Sequence, residues 1–297
     1  MTMRIGMIGA GLMGHGIARN VVEKGFPLAV LAHRNRKPVD DLLGRGAREV
    51  RTPDELAAAS DVVLACLPNS DVVERVLLDP GGVLEGARPG LIVVDHTTGR
   101  PAATRRLGEM LGARGVHLLD GPVTLTPKEA WDGTLNLLIG GDAGLIDRLR
   151  PLFETFAARI FPTGPLGSAH TLKLVNNFLA QGGMALAVEA ITTALRAGVD
   201  PKMMRELVMV SGGASTAFQR ISTVAVGGDP GGGGAFAIRN ALKDIRYFTE
   251  LQAAEGMVPV MGDAARQFFE IATALGFGDA HLPELFEVQR RLSGLRS

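Results

Sequence analysis

The sequence predicts an α/β protein in two parts: a doubly wound parallel sheet over residues 1–163 and an all-α domain over residues 164–297, joined by a long helix. Three observations predict it. Short apolar runs bounded by glycine or proline alternate with amphipathic stretches as far as residue 163. From Ser168 the apolar residues Leu172, Val175, Leu179, Leu186 and Ala190 recur at helical spacing for about eight turns. Beyond residue 197 only helical signals remain. A chain of 297 residues is long enough for two domains of ordinary size, each with its own core.

The first apolar run, residues 4–8 (RIGMI), fits a buried parallel strand and leads directly into GAGLMGHGIARN. Gly9, Gly11 and Gly14 form G-x-G-x-x-G between a strand and a helix, the context in which that pattern carries meaning. Gly9 permits the tight turn, Gly11 lets a pyrophosphate approach the backbone, and Gly14 lets the helix pack close to the strand. Leu12 and Met13 open the helix, whose free N–H groups and positive dipole end face the phosphates. This reads as a dinucleotide site of the Rossmann type.

The next strand, residues 28–32, ends at His33. A carboxylate at this point accepts from a ribose 2′-hydroxyl and repels a 2′-phosphate. Here His33, Arg34, Asn35 and Arg36 follow one another, with no acid before Asp40. The expectation is NADP in preference to NAD, with Arg34 as the phosphate clamp and Arg36 second. For either arginine taken singly, the alternative is a solvated loop face.

Thr52, Pro53 and Glu55 make a capping box that starts a helix over 53–59. Residues 61–67 (DVVLACL) are the next strand, ending at Pro68 and Asn69. Ser70 is expected to cap a helix that Gly81 and Gly82 break, and 91–95 (LIVVD) is a further strand. Ligands of open parallel sheets sit beyond the carboxyl ends of the strands, so Leu67 and Pro68, with Thr97 and Thr98, are placed to touch the cofactor; the alternative is plain loop. A helix over 102–112, strands at 116–119 and 135–139, a helix over 145–157 and a short strand near 159–162 complete the first domain.

Gly164, Pro165 and Gly167 break that strand, and Ser168 is placed to cap the long helix. Lys173 and Asn177, four apart, share one helix face. A lysine beside an amide suits protonating and orienting a substrate oxygen; the alternative is a lysine snorkelling at the edge of the core. Gly198 ends the helix, and Asp200 and Pro201 start another that runs to Val210. The run GGDPGGGG, residues 227–234, is expected as a loop. A helix carries RNALKDIRYF with Lys243, and two more are expected at 258–275 and 283–295.

Composition narrows the function. The 31 basic and 31 acidic residues balance, and no Lys/Arg tract with interleaved aromatics speaks for nucleic acid. The single cysteine, Cys66, leaves no internal disulfide framework, and the six histidines lack metal-ligand spacing, so no metal is expected. No apolar run is expected to approach the roughly 20 residues needed to cross a bilayer, and the opening residues do not resemble a signal peptide, so the expectation is a cytoplasmic protein without a membrane partner.

With these stretches in view, the chain resembles the beta-hydroxyacid dehydrogenase family, the group of 3-hydroxyisobutyrate dehydrogenase and tartronate semialdehyde reductase. GAGLMGHGIARN, DHTTGRP at 95–101, DGPVTLTPKEAWDGTLNLLIGGD at 120–142, GSAHTLKLVNN at 167–177 and ALKDI at 241–245 carry the resemblance. It implies hydride transfer between NAD(P) and a small hydroxy acid or semialdehyde acid. It also implies Lys173 as general acid and base, Asn177 holding the substrate, Lys243 reaching in as a cofactor-binding residue, and a site in the cleft between domains. The family's long helix commonly packs against a second subunit, which implies a homodimer or homotetramer. One departure bears on the substrate: where the family usually has Ser-Gly-Gly against the substrate carboxylate, this chain has Thr124, Leu125 and Thr126. The alternatives are a reductase of an atypical substrate, sulfolactaldehyde-like or an imine, and a non-catalytic dinucleotide-binding module.

Overall fold

The computed structural model describes residues 3–32, 34–229 and 236–295. His33 and most of the glycine-rich run expected as a loop lie outside the described residues. The chain divides into two compact units, Met1–Lys173 and Leu174–Ser297.

The first unit alternates strands and helices: β1 (Ile5–Ile8), α1 (Leu12–Glu23), β2 (Leu28–Leu31), α2 (Lys37–Gly44), β3 (Arg48–Val50), α3 (Pro53–Ala58), β4 (Val62–Ala65), α4 (Ser70–Leu78), α5 (Val83–Gly86), β5 (Ile92–Asp95), α6 (Pro101–Gly112) and β6 (His117–Asp120). These six strands pair in parallel in the order β3-β2-β1-β4-β5-β6. Side chains alternate across a strand, so one set meets each face. Met7, Val30, Leu64, Val94 and Leu119 join one apolar cluster with Ile17 and Val21 of α1. Ala29, Val63, Val93 and Leu118 join another with Leu56, Leu77 and Leu107. Both faces are covered, which is why β1, β4 and β5 are buried along their whole length.

Beyond β6 the direction reverses. After β7 (Val123–Thr124) and α7 (Pro127–Asp132), β8 (Leu135–Gly140) runs antiparallel to both β6 and β7. After α8 (Ala143–Phe153), β9 (Ala157–Gly164) adds in parallel along the other edge of β8. Two local expectations change. Asn69, not Ser70, caps α4: its backbone is extended and its Oδ1 accepts the Val72 N–H at 2.9 Å. The Ser70 hydroxyl instead accepts the Arg100 N–H at 2.8 Å. The helix expected over 145–157 begins earlier, with Asp142 as its cap, and stops at Phe153.

Helix α9 (Ser168–Arg196) starts in the first unit and continues into the second, which adds α10 (Pro201–Met209), α11 (Thr216–Ala225), α12 (Ile238–Ala254), α13 (Val260–Ala272) and α14 (Leu285–Leu292). By length and composition α9 is apolar enough to cross a membrane, which corrects the expectation that no run approaches that length. Polar Asn176, Asn177 and Gln181 interrupt it, and Met184, Val188 and Ile191 contribute to the core of the helical unit with Ile221, Ile245 and Phe269. Asp200 caps α10 as its sequence implies, accepting from Met203 N–H at 3.1 Å.

Candidate active site

In the first unit β1 lies between β2 and β4, so the chain leaves it in one direction and returns on its other side. A crevice opens at the carboxyl ends of strands at such a switch point. Gly9 sits there with φ +92°, and a Cβ on it would lie 2.2 Å from the carbonyl oxygen of Cys66 at the end of β4. A Cβ on Gly14 would lie 2.1 Å from the Gly9 oxygen, so α1 packs against its own turn only as glycine. A Cβ on Gly11 would meet no atom within 4 Å. Two of the three glycines are thus required by the fold, and the third borders open space where a ligand backbone fits.

Gly11 is also the N-cap of α1; no side chain caps the helix, and its first turn holds no acidic residue. Leu12 is exposed and Met13 half-buried. The first N–H groups of a helix have no partner within it, and the dipole adds positive potential there. Open space, the N–H groups at the helix start and no competing acid fit the pyrophosphate of a dinucleotide.

The ends of β4 and β5 close one side. The Leu67 N–H donates to Thr97 Oγ1 at 3.0 Å, and the Thr97 N–H donates to Asp95 Oδ1 at 2.9 Å. Asp95 is buried, and desolvation raises its carboxyl above the ordinary range. Pro68 precedes the Asn69 cap, and Thr98 is half-buried two residues before Arg100. The four residues expected beyond these strands therefore lie on two adjoining strand ends, tied by one hydrogen bond.

At the end of β2, Arg34 and Asn35 are exposed, and Asn35 Oδ1 accepts the Lys37 N–H at 3.3 Å. Among the described residues Arg34 has no ion-pair partner. Arg36 is different and corrects the sequence expectation. It donates to both carboxylate oxygens of Glu49 at 2.6 and 3.0 Å and to Asp40 at 2.9 Å. These partners raise its pKa and hold Glu49 below the usual carboxylate range. A guanidinium engaged by two carboxylates is a poor second phosphate clamp.

Thr124 ends β7, and Leu125 and Thr126 lead from it into α7. Thr124 Oγ1 accepts from Asn136 Nδ2 at 3.2 Å. Leu125 has φ +85° and is the one non-glycine residue among those described in the left-handed region; its side chain is exposed. Thr126 caps α7 in a capping box with Glu129, whose Oε2 accepts the Thr126 N–H at 2.9 Å. Asn20 of α1 ties α7 down by donating to the carbonyls of Ala130 and Trp131 at 3.0 and 3.1 Å, and Arg19 lies 4.1 Å over the Trp131 ring.

Lys173 is half-buried at the start of α9, in the turn after Ser168–Thr171. In the helical unit Asn177 Nδ2 donates to Asp244 Oδ2 at 2.7 Å, and Gln181 Nε2 approaches the same oxygen at 3.4 Å. Lys243 Nζ pairs with Asp244 Oδ1 at 3.0 Å. Asp244 is 1% exposed, so Asn177 and Lys243 are brought together through one buried carboxylate. With Nδ2 committed and Oδ1 accepting from Asn176 Nδ2 at 3.1 Å, the Asn177 amide has a set orientation. Sequence reasoning missed Asp244 and Gln181; the available signals were the acid directly after Lys243 and the amide one turn after Asn177.

Residues 4–164 match the family model described as the NAD binding domain of 6-phosphogluconate dehydrogenase, and residues 167–288 match that described as NAD-binding of NADP-dependent 3-hydroxyisobutyrate dehydrogenase. The chain is 29% identical to 2-(hydroxymethyl)glutarate dehydrogenase of Eubacterium barkeri over 99% of this chain and 97% of the relative. It is 33% identical to 2-hydroxy-3-oxopropionate reductase of Escherichia coli over 70% of each. Among solved structures, a Mycobacterium tuberculosis 3-hydroxyisobutyrate dehydrogenase with L-serine superposes with a TM-score of 0.87 at 25% identity, covering 98% of this chain and all of that one.

Proposed function

This chain belongs to the beta-hydroxyacid dehydrogenase family, and from that premise we propose that Lys173 is the general acid and base of its NAD(P)-dependent oxidoreduction of a small hydroxy acid. The observation that carries the assignment lies within the first unit. The first turn of α9 is hydrogen-bonded to Asp120 at the carboxyl end of β6, the same end of the parallel strands that carries the Gly9–Gly14 turn. Lys173 follows in the next turn. A nicotinamide cofactor whose pyrophosphate is held by the Gly9–Gly14 turn would supply or accept the hydride. In the reducing direction the Lys173 ammonium gives its proton to the substrate oxygen as negative charge develops there, and in the oxidising direction the neutral amine removes the hydroxyl proton.

Asn177 binds the substrate hydroxyl or carboxylate, Lys243 contributes to the cofactor, and the Thr124–Thr126 turn receives the acid group. Leu125 in a glycine-like backbone conformation supports a pocket that differs from a glycine-lined one, favouring an acid whose α-substituents or acid group differ from the simplest hydroxy acids. The exposed Arg34 supports NADP over NAD. Leu179 and Leu186, 69% and 57% exposed on α9, support a homo-oligomer, and the formal charge balance suits a cytoplasmic protein. The deciding experiment follows nicotinamide absorbance with 3-hydroxyisobutyrate, L-serine and 2-hydroxy-3-oxopropionate, for the wild type and Lys173→Ala. Loss of turnover in Lys173→Ala with unchanged cofactor affinity is expected; wild-type turnover in that variant rejects the assignment.

A further inference from the structure

Within the first unit the start of α9 is held by buried polar groups that the reaction itself does not use. Asp120, fully buried at the end of β6, accepts the Gly167 N–H at Oδ1 and the His170 N–H at Oδ2, each at 2.8 Å. One carboxylate from a strand thereby satisfies two of the donors that a helix leaves unpaired at its start. His170, also fully buried, reaches the other way: its Nδ1 lies 2.8 Å from Thr104 Oγ1 on α6. The Thr104 hydroxyl also lies 3.1 Å from the Arg100 carbonyl oxygen, an acceptor it can donate to. Space for the arrangement is reserved by two glycines. A Cβ on Gly140 would lie 2.5 Å from Asp120 Oδ1, and one on Gly99 would lie 2.9 Å from the His170 ring.

We propose that Asp120 is a positioning residue for Lys173, fixing the azimuth and depth of the first turn of α9 through Gly167 and His170, with Thr104 as its second anchor. The proposal rests on the assignment of Lys173 above. Lys173 is three residues past His170, so the lysine moves with that turn as a rigid body. Misplacing a reacting group by about 1 Å costs on the order of 100-fold in rate, which makes the anchor matter for chemistry as well as for folding. Asp120→Asn retains the size of the side chain but points an amide N–H at one of the two helix N–H groups.

The test compares wild type, Asp120→Asn, Lys173→Ala and the double variant, with 3-hydroxyisobutyrate and NADP, adding ethylamine to restore turnover to the lysine-free proteins. Asp120→Asn is expected to lower kcat by about 10- to 100-fold while the cofactor Kd stays within about twofold. In the lysine-free background, where the added amine is not held by the helix, it is expected to change the rescued rate by less than about twofold. Independently of activity, amide hydrogen exchange in the cofactor-free protein is expected to accelerate at residues 167–173 and stay unchanged at 11–18. An equal loss in both backgrounds, a normal kcat, or unchanged exchange at 167–173 overturns the positioning role. Full turnover in Lys173→Ala instead removes the lysine assignment, and the positioning role with it. Should Asp120→Asn not fold, Thr104→Val keeps the carboxylate and removes the second anchor. A kcat loss of about threefold or more at constant cofactor Kd is then expected, and none overturns the proposal.

Discussion

Gly9→Ala and Gly11→Ala, two substitutions in one turn, separate what the fold needs from what the cofactor needs. At Gly9 alanine must take φ +92° and bring its methyl to 2.2 Å from the Cys66 oxygen. The left-handed backbone costs about 1–2 kcal/mol and the overlap about 1–3 kcal/mol more. Taking about 3 kcal/mol, a unit of this size melts roughly 6–12 °C lower. At Gly11, φ −81° and ψ −159° are open to any residue, and no atom lies within 4 Å of the new methyl. The weaker N-cap preference of alanine and the smaller entropy of its unfolded chain offset each other, so stability stays within about 0.5 kcal/mol of wild type. The methyl does occupy the space assigned to the pyrophosphate, and a cofactor affinity loss of at least about tenfold, ~1.4 kcal/mol, is expected. Thermal melting without cofactor measures the first quantity. Isothermal titration with NADPH, or quenching of the single tryptophan, Trp131 on α7 beside α1, measures the second. The reasoning is refuted if Gly11→Ala melts with Gly9→Ala, or if it binds cofactor like the wild type.

Three further outcomes are expected. Leu125→Gly relieves a left-handed backbone worth about 1–2 kcal/mol, and the freer unfolded chain returns about half of that, so urea denaturation should show a gain of up to ~1 kcal/mol; a loss of that size contradicts the strain. His96, buried with its Nδ1 at 2.5 Å from the Gly121 carbonyl oxygen, has its pKa pushed down by burial to about 4. Its unfolded form takes up a proton below about pH 6.5 while the folded form does not, so its contribution is present above that pH and falls by roughly 3 kcal/mol on the way to pH 4. Asp95, raised by burial, acts in the opposite sense, so the His96 part is the stability difference between wild type and His96→Gln; an equal pH slope in both removes it. Arg34→Ala should weaken NADPH about tenfold in titration and leave NADH unchanged, whereas equal weakening of both sets aside a 2′-phosphate contact.

Most of the first unit was legible because its signals are local. An apolar run, a glycine turn and a capping residue each act on the backbone within a few residues, and β1, α1 and α3 stand where those rules put them, as does the Asp200 cap of α10 in the helical unit. The same rules erred where two neighbours were both able to serve, as at Asn69 and Ser70, and where a pattern was too short to register, as at β3, β7 and α7. Direction within the sheet was equally invisible, since the reversal at β8 depends on how β6 and β7 turn, not on composition.

The candidate site divides in the same way. The chain by itself determined the glycine turn and the pairing of Lys173 and Asn177 on one helix, since each is a matter of residue type and spacing along a few turns; Leu125 stood out only against the pattern of the family the chain resembles. Tertiary structure alone decided that Arg36 is engaged by Glu49, that Asp120 holds the start of α9 across 47 and 50 positions, and that Asp244 orients Asn177 across 67. The physical reason is that a buried carboxylate is stable only where donors converge on it, and donors so distant in the chain converge only after the sheet and helices have packed.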